Sequence, residues 1–128
     1  MENKEKQVIS KKRVADHGEV LTARREVDAM LDLVKQETER IESRFLEPAC
    51  GIGNFLIVIL ERKLAVIERK LAQQEKRLKK AEKRPGWKAP SYEPDSLLAL
   101  SSIYGIDILQ DSIDAAKARL LAYFVESY

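Results

Sequence analysis

The sequence has one cysteine, one histidine and no long apolar run, and each shortage removes a class of function. Cys50 alone can build no internal disulfide framework and no zinc cluster. His17 has no cysteine or second histidine near it, so no metal site and no nucleophilic triad is expected, and it reads as an ordinary loop residue. The apolar stretch Phe55 to Leu60 is far too short to cross a bilayer, and the segment Met1 to Arg13 is charged rather than signal-like. The expected compartment is therefore the cytoplasm, without membrane contact. Neither sign of charge dominates: 23 Lys and Arg against 21 Asp and Glu leave a net charge of +2, which suits nucleic acid without requiring it.

What is present is concentrated in Glu47-Pro48-Ala49-Cys50-Gly51-Ile52-Gly53-Asn54-Phe55. Arg44-Phe45-Leu46 before it reads as the end of a buried strand, and Leu56 to Leu60 after it as the start of a helix. Gly51 and Gly53 drop two Cβ atoms at the turn, so a ligand can lie against the backbone at a helix N-terminus with unpaired N–H groups. A dinucleotide fingerprint would need Gly or Ala three positions past the second glycine, where this chain has Leu56, and it gains nothing from an acid beside a pyrophosphate. A zwitterionic ligand with a cationic centre suits Glu47 better; the plainer alternative is a glycine turn that only joins strand to helix.

The string resembles motif I of S-adenosylmethionine-dependent DNA methyltransferases, in the form typical of enzymes that methylate the adenine amino group. Two further segments resemble the same family, in the right order. Gly18-Glu19-Val20-Leu21-Thr22, followed by Val27, Met30, Leu31, Val34, Thr38 and Ile41 at helical spacing, is similar to motif X, in which a Thr before a helix contacts the methionine end of the cofactor. The family usually has Pro after that Thr, and here Ala23 stands there; without the resemblance Thr22 is a helix N-cap. Ile103 to Ile108 is a buried parallel strand by composition and resembles motif II, with Asp107 as the ribose ligand and Ile108 packed on the adenine ring. The alternative for Asp107 is a turn residue at a strand end.

The resemblance thus implies a cofactor site of Thr22, Glu47, Ala49, Cys50, Gly51, Gly53, Asp107 and Ile108, with S-adenosylmethionine as cofactor and DNA as partner of the complete enzyme. Cys50 reads as a small residue beneath the ligand rather than a reactive thiol. No catalytic residue is assigned. Amino-methyltransferases of this type carry a Pro-Pro dipeptide that orients the target amine of a flipped base, whereas Pro48, Pro85, Pro90 and Pro94 are all isolated. The resemblance covers the cofactor half only.

The second pattern is a repeat. Glu61-Arg62-Lys63-Leu64-Ala65 recurs as Glu68-Arg69-Lys70-Leu71-Ala72, and Ile57, Leu60, Leu64, Ile67, Leu71, Gln74, Leu78 and Ala81 form a heptad seam. The pattern predicts one helix from Asn54 to Arg84, about 46 Å long, where one crossing of a sheet takes roughly 12 residues. It also accounts for Asp107 following Gly53 by 54 positions, against about 20 in a simple nucleotide-binding unit. Pro85 to Pro94 reads as a return loop, and Asp95 as the cap of a return helix through Leu97, Leu98 and Leu100. The basic far end, with Lys76, Arg77, Lys79, Lys80, Lys83 and Arg84 beside Trp87 and Tyr92, is either a solvated helix end or a nucleic-acid contact.

The expectation is an α/β, helix-rich chain: a partial Rossmann-like methyltransferase fold with a long heptad-patterned helix after motif I. Residues 1–17 form a charged helix or tail, 18–128 a partial cofactor-binding domain, and 61–102 a projecting helical insertion with its return loop. Such a chain would be a truncated or split portion of an adenine-N6 methyltransferase of a restriction-modification system, inactive alone. It would need a complementary methyltransferase chain or self-association. The competing expectation is a non-catalytic remnant or coiled-coil interaction module.

Overall fold

The structure, a computed structural model, describes residues 6–79 and 92–127. Helix α1 (Lys11–His17) starts at Ser10, whose Oγ accepts the Arg13 N–H at 3.1 Å, and stops at Gly18 with φ of 63°. Then come α2 (Arg24–Asp32), a single turn α3 (Lys35–Thr38), strand β1 (Phe45–Glu47), the long α4 (Asn54–Leu78), α5 (Tyr92–Ser101), β2 (Ile103–Gly105) and α6 (Gln110–Ser127). The strands pair in parallel, Phe45 with Ile103, Leu46 with Tyr104 and Glu47 with Gly105. The chain is therefore helix-rich around a small parallel sheet. Among the described residues no helix is long and apolar enough to cross a membrane.

The expected strands are parallel but short, and they are not buried on both sides. Phe45 and Ile103 pack toward α2 and α4, while Leu46 and Tyr104 on the opposite face are 63% and 51% exposed. Side chains alternate across a strand, so one layer of helices covers one face only.

The seam of α4 is buried within the chain over its first half. Leu60, Leu64 and Ile67 form a core with Ile41 and Ala99, against which Tyr92, Leu100, Tyr123 and Phe124 pack. Tyr92 thus lies on the helical core, whereas Gln74 further along the seam is exposed. The expected continuation of the helix to Arg84, with Lys80, Lys83, Trp87 and most of the return loop, lies outside the described residues. Helix α5 includes Tyr92 rather than starting after Asp95, and the side chains it buries are Ser96 and Ala99, with Leu97 and Leu98 largely exposed. Small residues let the two helix backbones approach closely, which leucines at those positions would prevent.

Lys63 is the largest fully buried side chain among the described residues. Its ammonium donates to the backbone carbonyls of Ile41 and Ser43 and to Ser102 Oγ, and lies 5.2 Å from the centre of the Phe45 ring. It therefore fastens α4 to the segments that enter both strands. Burial lowers its pKa to about 8, against a smaller upward pull from Glu42 and Glu37.

Candidate functional site

The carboxyl ends of the two parallel strands open into one cleft of about 320 Å³. Thr22, Ala49, Cys50, Gly51, Asp107 and Ile108 all line it. Residues from three separate stretches of sequence thus meet where a parallel α/β sheet places its ligands, outside the carboxyl ends of its strands. Glu47 and Gly53 stand back from the cleft wall. The Glu47 side chain folds onto its own turn, Oε1 accepting the Ala49 N–H at 3.0 Å. Gly53 is buried at the start of α4 with φ of 86°, and its N–H donates to the Cys50 carbonyl at 2.9 Å.

The glycine turn is held from several sides. Asp107 Oδ2 accepts the Gly51 N–H at 3.0 Å and Oδ1 accepts the Leu109 N–H at 2.8 Å, while the Cys50 N–H donates to the Ile106 carbonyl at 2.9 Å. The N–H groups of Ala49, Cys50, Gly51 and Gly53 are thus already donated within the chain, so the backbone donors left to a ligand belong to Ile52 and the first turn of α4. Thr22 does not cap α2 either: Ala23 occupies the N-cap without a side-chain bond, and the Thr22 carbonyl accepts from Asn54 Nδ2 at 2.9 Å. Burial raises the Cys50 thiol pKa, and the charges of Asp107 and Glu47 raise it further, which suits a small inert side chain rather than a nucleophile.

Other residues shape the site beyond those to which the resemblance gives a role. Arg119 on α6 donates to the Ile52 carbonyl at 2.8 Å and to Asn54 Oδ1 at 2.7 Å, so α6 is linked through Asn54 to Thr22 across the turn. Gly105 lets β2 pass close to the turn, since a Cβ there would lie 2.7 Å from Leu56 Cδ1 and 2.9 Å from Cys50 Sγ. A glycine inside a strand pattern is a legible sign of close backbone approach. His17 ends α1 rather than lying in a loop, and with Gly18 and Glu19 it also lines the cleft. Among the described residues no group of His, Cys, Asp or Glu is placed to hold a metal ion.

The family model for the MmeI DNA-methyltransferase domain matches residues 21–127. The chain belongs to that family. Its function is accordingly related to DNA methylation of the restriction-modification kind, and a partnership with DNA follows. No curated protein and no solved structure matches this chain. The match begins at Leu21, next to Thr22, and runs through β1, the glycine turn, α4, β2 and α6.

Proposed function

We propose that this chain is the S-adenosylmethionine-binding portion of an adenine-N6 DNA methyltransferase, built as part of a Rossmann-like sheet. The observation that carries this reading is the convergence of Thr22, Ala49 to Gly51, Asp107 and Ile108 on one cleft. A carboxylate offers about four acceptor positions, so Asp107 holds Gly51 and Leu109 and still has capacity for both ribose hydroxyls. Ile108 is 82% exposed, an uncovered apolar side chain placed to lie on the adenine ring. Thr22 and Glu47 serve the methionine end, Glu47 by releasing the Ala49 N–H and turning to the cofactor amine. Gly53 acts indirectly, by setting the turn.

The bound cofactor supplies an activated methyl group; the chain's residues bind and orient it. Placement of the adenine amine needs groups these residues do not include, since no Pro-Pro dipeptide occurs among them. By itself the chain therefore binds cofactor and transfers nothing.

Calorimetric titration with S-adenosylmethionine and S-adenosylhomocysteine tests the first half. Weak, saturable binding of both is expected, and no heat with either at millimolar ligand sinks the reading. The second half is tested with labelled methyl donor and duplex DNA: label on adenine, from a preparation free of host enzyme, would show that the chain is catalytic alone.

A further inference from the structure

A second cavity, of about 300 Å³, adjoins the cleft and shares Leu21, Thr22, Ile52 and Asn54 with it. Its charge is of one sign. Lys6, Arg24 and Arg119 border it, and among the described residues no aspartate or glutamate does. Arg24 is already neutralised, by Asp28 at 2.9 Å and Glu61 at 2.6 Å. The other two are not. Lys6 is exposed and forms no ion pair among the described residues, and the partly exposed Arg119 guanidinium meets only neutral oxygens there, the Ile52 carbonyl and Asn54 Oδ1. Both of those bonds come from Nη1. A guanidinium carries five N–H donors, so the edge formed by Nε and Nη2 keeps three, arranged to grip two oxygens of an anion side by side. Helix α2 adds to this: Ala23 at its N-cap makes no side-chain bond, and the positive end of the helix dipole opens on the cavity through Ala23 and Arg24.

We propose that this cavity binds a backbone phosphate of DNA, held by Arg119 through two parallel hydrogen bonds and by Lys6 through charge. Family membership makes DNA the partner. The shared wall fixes where its backbone runs, because a strand that brings a base to a methyl donor in the cleft must carry its phosphates past Thr22 and Asn54. That placement rests on the S-adenosylmethionine reading; the cavity and its cations stand without it. The methionine carboxylate of the cofactor is the other anion within reach of the wall. It fits less well, since Lys6 and Arg119 border the second cavity and neither borders the cleft.

The test is fluorescence anisotropy of the full chain with a short labelled duplex across a range of salt, beside calorimetric titration with S-adenosylhomocysteine. The wild type is expected to bind the duplex at low salt whatever its sequence, and to release it steeply as salt rises. Lys6→Gln, at an exposed side chain, should weaken duplex binding severalfold, make the slope of log affinity against log salt shallower by about one, and leave S-adenosylhomocysteine binding as it was. Arg119→Lys keeps the charge and loses the fork, so affinity for the duplex should fall about tenfold at the wild-type slope, with circular dichroism showing an intact fold. If that variant misfolds, Lys6→Glu stands in and should weaken duplex binding more than Lys6→Gln does. A wild type that leaves the duplex free at low salt, or variants that all bind it as the wild type does, would overturn the assignment. So would loss of S-adenosylhomocysteine binding with duplex binding intact, which would give the cavity to the cofactor's carboxylate. Failure of the wild type to bind S-adenosylhomocysteine would sink the cofactor reading instead, and the duplex titrations would still decide on the phosphate.

Discussion

Asp107, two residues past β2, accepts the Gly51 N–H at 3.0 Å, joining the acidic exit of one strand to the glycine turn that follows the other. The same carboxylate holds the Leu109 N–H at 2.8 Å just before α6 begins. An acid that the sequence presents as a ligand for ribose is thus also the brace that shapes the cleft.

A variant at this position should accordingly lose the brace, and under the proposed function the ribose contact with it. Asp107→Ala is expected to lower stability by about 2 to 4 kcal/mol, because two backbone donors lose a charged acceptor, and to abolish cofactor binding. Asp107→Asn keeps an amide oxygen as acceptor and should retain about half the stability while binding poorly. Urea denaturation read beside calorimetry separates the two effects. Full stability in the Ala variant would show that the brace contributes nothing.

The glycines make a ranked prediction. Gly105→Ala puts a Cβ 2.7 Å from Leu56 Cδ1, within an overpacked contact, and should cost about 1 to 3 kcal/mol. Gly53→Ala meets both a φ of 86° and the Ala116 Cβ at 3.2 Å, a cost of about 1 to 2 kcal/mol. Gly51→Ala, at φ 53° with only Leu21 Cδ2 at 3.6 Å, should cost about 1 kcal/mol from backbone conformation alone. Denaturant midpoints give the order; Gly51→Ala as the most damaging of the three would contradict it.

Lys63 gives the chain an alkaline signature. Its folded pKa is near 8, below the value of about 10.4 in an unfolded chain. Between these values the unfolded state binds more protons, so this group's contribution to stability rises with pH across that window and is flat below it. Subtracting the profile of Lys63→Met from that of the wild type isolates this rise. The substitution should also cost about 1 to 3 kcal/mol near neutral pH, since the Ile41 and Ser43 carbonyls and Ser102 lose their donor. A flat difference profile between pH 8 and 10 would mean that Lys63 titrates as an exposed amine.

Lys63 also shows where the sequence stops being informative. It shares its pentapeptide with Lys70, seven positions on, yet one is fully buried and the other exposed. Local pattern is the same at both; what differs is the sheet, which lies against the first half of α4 and not the second. The strand, glycine turn and helix around Gly51 and Gly53 were legible because backbone freedom and apolar periodicity are local properties. So were the two strands themselves, through the apolar runs before Glu47 and Asp107. Arg13 and Arg119 were not, because each acquires its role from a partner dozens of positions away, Asp111 for one and Ile52 for the other.

The heptad seam supplies the last prediction, and it turns on which surface the seam meets. Leu64 is 1% exposed and packed with Leu60, Ile67 and Ala99 of its own chain, while Leu71 is only half-buried at the edge of the same cluster. A lysine at position 64 removes a fully buried apolar side chain and places a charge in the core, so Leu64→Lys should cost about 3 to 5 kcal/mol. That is a large share of the roughly 5 to 15 kcal/mol that holds a domain together. Leu71→Lys can swing its ammonium to solvent along its aliphatic stem and should cost about 1 kcal/mol. The expected result for the pair is loss of helical signal and a lower melting temperature, with position 64 responsible for most of it. Light scattering that showed instead a well-folded double variant falling from a larger assembly to monomer would mean that the seam faces another chain and that the α4–α5 core is not its cover.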